Sequence, residues 1–181
     1  GFDINSERIS QLKKGIDITD EVDEHELNQI VKNITYTNKI DDLKNCNIYI
    51  VAVPTPVNAI NEPNLNPLIL ASREVGSILD KNNIIIYEST VYPGVTEEIC
   101  VPEIEKTSGL KFNKDFFCGY SPERINPGDK ERKIKDIVKI TSGSNKQTAK
   151  VVDNLYKLII DAGTYMASSI KVAEASKVIE N

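Results

Sequence analysis

The chain has 181 residues, of which 40% are hydrophobic and 27% are charged, and its formal net charge is −5 at pH 7. This length and composition suffice for a full hydrophobic core, and the acidic balance, without a basic patch or a tryptophan, argues against a nucleic-acid-binding surface. No apolar run approaches the ~20 residues that a membrane helix needs, and no segment resembles a signal peptide. We therefore expect a cytoplasmic protein without nucleic-acid or membrane partners.

The cysteines and the histidine predict no metal site. Cys46, Cys100 and Cys118 form no Cys-x-x-Cys pair, and His25 is the single histidine. Sparse, odd-numbered cysteines are typical of a reducing compartment. We expect buried thiols without a catalytic role.

Helical and strand patterns alternate along the chain. Capping residues and apolar positions three and four apart predict helices, whereas short β-branched runs predict strands. The predicted helices span about 6–14, 24–32, 66–79, 94–106, 146–160 and 168–181, with a helix or turn at 40–45. The predicted strands are 34–37, 47–53, 83–87, 116–120, 137–141 and 164–167, and residues 1–5 read as the end of another strand.

This alternation is the pattern of βαβ units. It predicts an α/β fold, namely a Rossmann-like doubly wound, mainly parallel sheet with helices on both faces. A glycine-rich turn is expected before an acidic strand end in such folds, and none precedes Asp3. We expect an N-terminally truncated domain over 1–167 and the start of a connecting helix over 168–181.

Polar residues follow several of the predicted strands. Ligands of open α/β sheets bind outside the carboxyl ends of the strands, which makes Asp3, Thr55 and Thr90 candidates. Near Thr90, backbone N–H groups of the helix that opens at Gly94 are able to meet an anion. The structural alternatives are a helix cap for Asp3, a proline-stiffened turn for Thr55 and a helix-start hydroxyl for Thr90.

Glu123 is the strongest candidate for acid–base chemistry. It follows the strand at 116–120 on a backbone stiffened by Pro122 and Pro127, and a carboxylate partly screened from water can take up protons near neutral pH. The alternative is a structural ion pair with Arg124 or a nearby lysine.

The last helix carries a second candidate pair. Lys177 and Asn181 are four residues apart and share a helix face, with Glu174 on the same face. An ammonium and an amide one turn apart are able to bind one oxygen. The alternative is a solvated face with a Glu174–Lys177 pair.

Three segments together resemble the nucleotide-sugar 6-dehydrogenases of the UDP-glucose/GDP-mannose dehydrogenase family. They are Tyr-Glu-Ser-Thr-Val-Tyr-Pro-Gly at 87–94, Tyr-Ser-Pro-Glu-Arg-Ile-Asn-Pro-Gly-Asp-Lys at 120–130, and Lys-Val-Ala-Glu-Ala-Ser-Lys-Val-Ile-Glu-Asn at 171–181. UDP-glucose enzymes carry a second acidic residue where this chain has Pro127. The resemblance is therefore to the branch that oxidises UDP-N-acetyl-glucosamine, -galactosamine or -mannosamine.

The resemblance implies oxidation of a sugar CH2OH to a carboxylate with reduction of two NAD+, through a thioester on a cysteine of the later half of such enzymes. It implies that Asp3 and Arg8 bind the ribose or a phosphate of NAD, and that Thr55 and Thr90 lie against the cofactor. None of the three cysteines matches the nucleophile, so we expect this chain alone to be inactive.

The resemblance also implies the catalytic roles. Thr90 lies beside the reacting carbon, and Glu123 is the base, or the water-positioning group, for hydrolysis of the acyl-enzyme. Lys177 steadies the developing oxyanion, and Asn181 holds the same oxygen. A homodimer formed through the last helix and a role in surface polysaccharide synthesis are implied as well.

Two other functions remain open. One is a β-hydroxyacid dehydrogenase, which shares a similar Rossmann half and a helix lysine. The long loop at 54–67 and the Ser-Pro-Glu-Arg segment at 121–124 speak against it. The other is a catalytically silent Rossmann module that acts in protein interactions.

Overall fold

The computed structural model describes residues 1–19, 22, 24–123 and 134–180. The chain divides into two units, Gly1–Asn45 and Cys46–Asn181. None of the helices in the described part is long and apolar enough to cross a membrane.

The described part of the first unit contains two α-helices. Helix α1 (Ser6–Lys13) begins after Asn5, whose side chain accepts hydrogen bonds from the N–H groups of Glu7 and Arg8, as expected of an N-cap. Helix α2 (Glu24–Ile30) runs into a 3-10 turn. The predicted strand ends at 1–5 and 34–37 meet in a parallel bridge between Phe2 and Thr37.

The second unit contains a five-stranded sheet. Its strands are β1 (Ile48–Val51), β2 (Ile84–Tyr87), β3 (Phe117–Tyr120), β4 (Lys139–Gly143) and β5 (Thr164–Met166). They lie in the order β1-β2-β3-β4-β5. The pairs β1–β2, β2–β3 and β4–β5 are parallel, and β3–β4 is antiparallel. The predicted mainly parallel sheet is confirmed.

Strand β4 reverses direction relative to β3. The pairing joins Gly119 to Gly143 and Tyr120 to Ser142. Parallel neighbours need a long crossover, usually a helix, but the described part of this connection holds only the 3-10 turn Ile134–Asp136. As a result, β4 begins at the edge of the sheet where β3 ends.

Four α-helices accompany the sheet in the part of the second unit that the structure describes. They are α3 (Asn66–Ile78), α4 (Val101–Ser108, after a π-helical turn), α5 (Lys146–Lys157) and α6 (Ile170–Glu180). Helix α5 is tied to two strands through the buried carboxylate of Asp153, which accepts hydrogen bonds from Thr141 (2.9 Å) and Thr164 (2.6 Å) and pairs with Lys157.

One cluster of core residues lies between β2 and α5. Ile86 and Val152 are fully buried and pack with Tyr156 and Ile160. Both Ile85 and Ile86 are 0% exposed, although their side chains point to opposite faces of the strand. This confirms the predicted strand at 83–87, which is buried on both faces.

The buried-thiol prediction is correct for two of the three cysteines and wrong for Cys46. Cys100 and Cys118 are buried, whereas Cys46 is exposed. Cys46 precedes β1 and lies outside the strand.

We expect Ile86→Ala to lower the free energy of unfolding of the full-length protein by about 2 to 5 kcal/mol, because it leaves a cavity in a fully buried site. Ile50→Ala on the neighbouring strand is the matched control. Ile50 is 52% exposed, and its loss should cost below about 1 kcal/mol. Chemical denaturation measures both, and equal losses would contradict the described core.

Candidate active site

The loops after β1, β2 and β3 meet at one edge of the sheet, because these three strands are parallel. Thr55 follows β1, Thr90 follows β2 and Glu123 follows β3. The structure therefore brings three of the predicted residues to the edge where ligands of such sheets bind.

The loop that carries Thr90 is anchored on both sides. The Ser89 hydroxyl donates to the carbonyl of Val53 at 2.7 Å, and the buried Tyr120 hydroxyl donates to the carbonyl of Ser89 at 3.1 Å. The side chain of Thr90 itself is exposed. A fixed backbone therefore presents an accessible hydroxyl at the edge of the sheet.

Glu174 of α6 binds the helix start that follows this loop. Its carboxylate is fully buried and accepts hydrogen bonds from the N–H groups of Gly94 (2.5 Å) and Thr96 (3.0 Å). The expectation that these N–H groups meet a ligand anion is wrong, since the protein supplies its own carboxylate there. The alternative of a solvated helix face with a Glu174–Lys177 pair is also wrong, because Glu174 is 0% exposed.

Lys177 lies one turn beyond Glu174 on α6, which packs against β3 and β4. Its side chain is half-buried, and none of the ion pairs found within the described ranges involves it. Residues three apart lie on one face of a helix. Anchoring Glu174 therefore also sets the direction in which the Lys177 side chain points. Asn181 lies outside the described residues.

Glu123 belongs to a charged cluster whose central group is Lys139. The Lys139 ammonium lies 3.5 Å from Glu123 Oε2 and 3.4 Å from Glu88 Oε1. Tyr156 donates a hydrogen bond to Glu88, and its ring centroid is 5.3 Å from the ammonium. The predicted structural alternative is thus partly present, since Glu123 pairs with a lysine; Arg124 and Pro127 lie outside the described residues.

The sequence alone does not single out Lys139 or Glu88. The signal that would have found Lys139 is a charge inside the apolar run at 137–141. Its side chain is only 3% exposed, and a buried ammonium requires compensating charge. Burial together with the Glu88 carboxylate raises the pKa of Tyr156, so the phenol stays a donor.

In the first unit, Asp3 and Arg8 line the same cavity of about 330 Å³. Asp3 accepts from the N–H of Asn5 at 2.7 Å, so it braces the start of α1 while Asn5 is the cap. Arg8 donates through Nη2 to Asp17 at 2.6 Å. The other residues that line this cavity are Asn5, Glu7, Gln11 and Ile18.

Some buried polar atoms lack a hydrogen-bond partner, which a bound ligand could supply. In the described part of the chain, Arg8 Nη1, Gln11 Oε1 and Thr55 Oγ1 are buried and lack a hydrogen-bond partner. A buried unpaired polar group costs about 1–3 kcal/mol, which a bound ligand can offset. In the first unit, the donor of Arg8, the acceptor of Gln11 and the Asp3 carboxylate suit ribose hydroxyls and phosphate, so these residues fit a dinucleotide.

The buried thiols are poor nucleophiles. Burial raises the pKa of Cys100 to about 11 and raises that of Cys118 well above its ordinary value, whereas the thiolate is the reactive form. Across the described ranges, no group of three or more His, Cys, Asp or Glu side chains is arranged to hold a metal ion.

An open, mainly parallel sheet with polar loops at the carboxyl ends of its strands is the fold of a nucleotide-binding domain of the Rossmann class. Residues 1–160 match the UDP-glucose/GDP-mannose dehydrogenase family, NAD binding domain. The chain belongs to that family. This confirms the predicted family, the fold class and NAD as the cofactor.

The relatives are nucleotide-sugar dehydrogenases. The chain is 59% identical over 181 residues to a UDP-N-acetyl-D-glucosamine 6-dehydrogenase of Pseudomonas aeruginosa and covers 43% of its length. It is 55% identical over 181 residues to one of Salmonella typhi and covers 42% of it. The structure of UDP-D-ManNAc dehydrogenase from Pyrococcus horikoshii has a TM-score of 0.89 and 27% identity, over 99% of this chain and 43% of that one. The chain thus spans less than half the length of these relatives.

We expect Asp17→Asn to flatten the loss of stability in acid. Burial alone would raise the pKa of Asp17, but hydrogen bonds from Thr19, Arg8 and the Val22 N–H outweigh it and hold this pKa far below the ordinary 3.8. A carboxyl whose pKa is lowered on folding stabilises the protein above its unfolded pKa, and this stabilisation is lost as the pH falls towards the folded pKa.

Urea unfolding at a series of pH values tests this expectation. Below about pH 4 the wild-type stability should fall more steeply than that of Asp17→Asn. Asp41→Asn, which removes a carboxylate that is 74% exposed and pairs with Lys44, should keep the wild-type slope. A wild-type slope in Asp17→Asn would contradict the argument.

Proposed function

We propose that this protein oxidises the C6 hydroxyl of a UDP-N-acetylhexosamine to the uronic acid. One observation carries the proposal: Glu123 and Thr90 stand at the carboxyl edge of one sheet, in a chain 59% identical along its whole length to a UDP-N-acetyl-D-glucosamine 6-dehydrogenase. The polar cavity lined by Asp3 and Arg8 supports the cofactor half of the proposal.

Polar side chains of each unit are the proposed contacts for the cofactor. In the first unit, Asp3 accepts from ribose hydroxyls, and Arg8 and Gln11 supply a donor and an acceptor. In the second unit, the hydroxyls of Thr55 and Thr90 are candidate contacts for NAD. When bound, NAD+ supplies the electron acceptor, and two molecules are used because oxidation of an alcohol to a carboxylate removes four electrons.

Glu123 acts in the last step, hydrolysis of a thioester that the family resemblance assigns to a cysteine of the later half. Water attacks the carbonyl carbon, so a C–O bond forms and the C–S bond breaks. One water proton passes to the Glu123 carboxylate, and the sulfur leaves as a thiolate. Glu123 suits this role because its side chain is 38% exposed and reaches both water and the protein.

Lys177 and Asn181 act on the substrate oxygen. The Lys177 ammonium stabilises the negative charge that develops on that oxygen, and the Asn181 amide holds the same atom. The buried Glu174 supports this by fixing α6 to the N–H groups of Gly94 and Thr96. The half-buried position of Lys177 keeps its charge partly screened from water.

The setting follows from the same proposal. The protein works in the cytoplasm as a homodimer that α6 helps to form, and its product serves surface polysaccharide synthesis. In the chain itself, 1–167 is the NAD-binding domain and 168–181 begins the helix that leads out of it.

Counting NADH tests the function. We expect the full-length protein to form two NADH per UDP-N-acetylhexosamine consumed, in a panel that also contains UDP-glucose and small β-hydroxyacids. The sugar that gives this ratio is the substrate. One NADH per turnover with a hydroxyacid would favour a β-hydroxyacid dehydrogenase, and no turnover with any compound would favour a silent interaction module.

We expect Lys177→Ala to abolish turnover while leaving the affinity for NAD+ nearly unchanged, because the lost charge acts on the substrate oxygen. Lys171→Ala is the matched control on the same helix, since Lys171 is exposed and pairs with Glu98 at the surface. Steady-state NADH formation and NAD+ titration measure the two effects. Wild-type turnover in Lys177→Ala would remove this lysine from the catalytic group.

A further inference from the structure

A buried ammonium links the proposed base to the core of the second unit. Lys139 has a side chain that is 3% exposed, and its ammonium lies between the carboxylates of Glu88 and Glu123 at 3.4 and 3.5 Å. The function proposed above assigns no task to Lys139 or to Glu88.

The position of Lys139 follows from the antiparallel pairing. Gly119 pairs with Gly143 and Tyr120 with Ser142, so Lys139, three residues before Ser142, lies beyond the same end of this pairing as Glu123, three residues after Tyr120. The Ser121 hydroxyl, which donates to the carbonyl of Ile140 at 2.7 Å, holds the two chain segments together at this point. The reversal of β4 therefore places Lys139 close enough to pair with Glu123.

The far side of the ammonium is anchored by the protein. Glu88 accepts a hydrogen bond from Tyr156, and Tyr156 is a member of the buried core cluster on α5. The Tyr156 ring also faces the ammonium, at 5.3 Å from its centroid, a distance at which cation–π attraction operates. The side chains grow more exposed from Lys139 (3%) to Glu88 (17%) and Glu123 (38%).

We propose that Lys139 is a positioning residue that holds the Glu123 carboxylate at the end of β3, where it receives the water proton. Glu88 and Tyr156 fix the ammonium from the core side, and the ammonium restrains the more exposed carboxylate by charge attraction. This inference rests on the proposed function, in which Glu123 serves the hydrolysis of the thioester.

The test separates positioning from simple compensation of buried charge. Lys139→Met alone leaves Glu88 without its cation and is liable to unfold. The informative comparison is therefore between Glu88→Gln and the double variant Glu88→Gln/Lys139→Met, both in the full-length protein. The two variants differ only at residue 139, which is a lysine next to Glu123 in the first and a methionine in the second. Thermal unfolding checks that both are folded.

We expect the double variant to show a burst of two NADH per active site in stopped-flow measurements, followed by slow turnover, because the thioester accumulates before hydrolysis. Misplacing a reacting group by about 1 Å costs on the order of 100-fold, so kcat should fall by about that factor. The ratio kcat/KM for the UDP-sugar should stay close to that of Glu88→Gln, since steps before hydrolysis are untouched.

A second comparison tests whether Lys139 acts through Glu123. With Glu123→Gln and Glu88→Gln as the background, adding Lys139→Met should slow turnover no further, because residues that act through one another are non-additive. A double variant with the kcat of Glu88→Gln and no burst would overturn the proposal. An equal further loss of kcat on adding Lys139→Met to the Glu123→Gln/Glu88→Gln background would also overturn the proposal. Failure of the proposed function looks different, since the wild type then forms no NADH with any UDP-sugar.

Discussion

The direction of β4 decides which charges meet at the carboxyl edge of the sheet. A parallel β4 would begin at the opposite edge, and its first residue would lie far from the end of β3. Because β4 is antiparallel to β3, it begins near Glu123, and its first residue is Lys139. The ion pairs to Glu88 and Glu123, and the contact of the ammonium with Tyr156, all depend on this reversal.

Much of the fold can be predicted from the sequence, because its signals are local. The run at 83–87 is continuous and β-branched, and it forms a strand buried on both faces. Asn5 precedes an apolar-periodic segment and caps α1. The predicted strand at 137–141 lies two residues later, at Lys139–Gly143. Local hydrophobicity favours the earlier residues, but the pairing with β3 and β5 determines where the strand begins.

The candidate site is less predictable, because its contacts join distant residues. Thr55, Thr90 and Glu123 can be found from their positions after strands, a rule that needs only the order of elements. The contacts of Glu174 reach Gly94 and Thr96, which precede it by 80 and 78 residues. Spacing on a helix suggests a local pair with Lys177, and nothing in that spacing reveals a partner so far away. Gln11 is missed for a related reason, since only the folded cavity shows that its oxygen is buried without a partner.

The attachment of α6 through Glu174 has a consequence for how the chain can be divided. A fragment that stopped at residue 167 would keep every strand of the sheet, yet it would strip the N–H groups of Gly94 and Thr96 of their acceptor. Those donors would open to solvent at the loop that carries Thr90. A fragment meant to preserve the loop that carries Thr90 therefore has to include Glu174 and the first turns of α6, even if the NAD-binding domain proper ends before that helix.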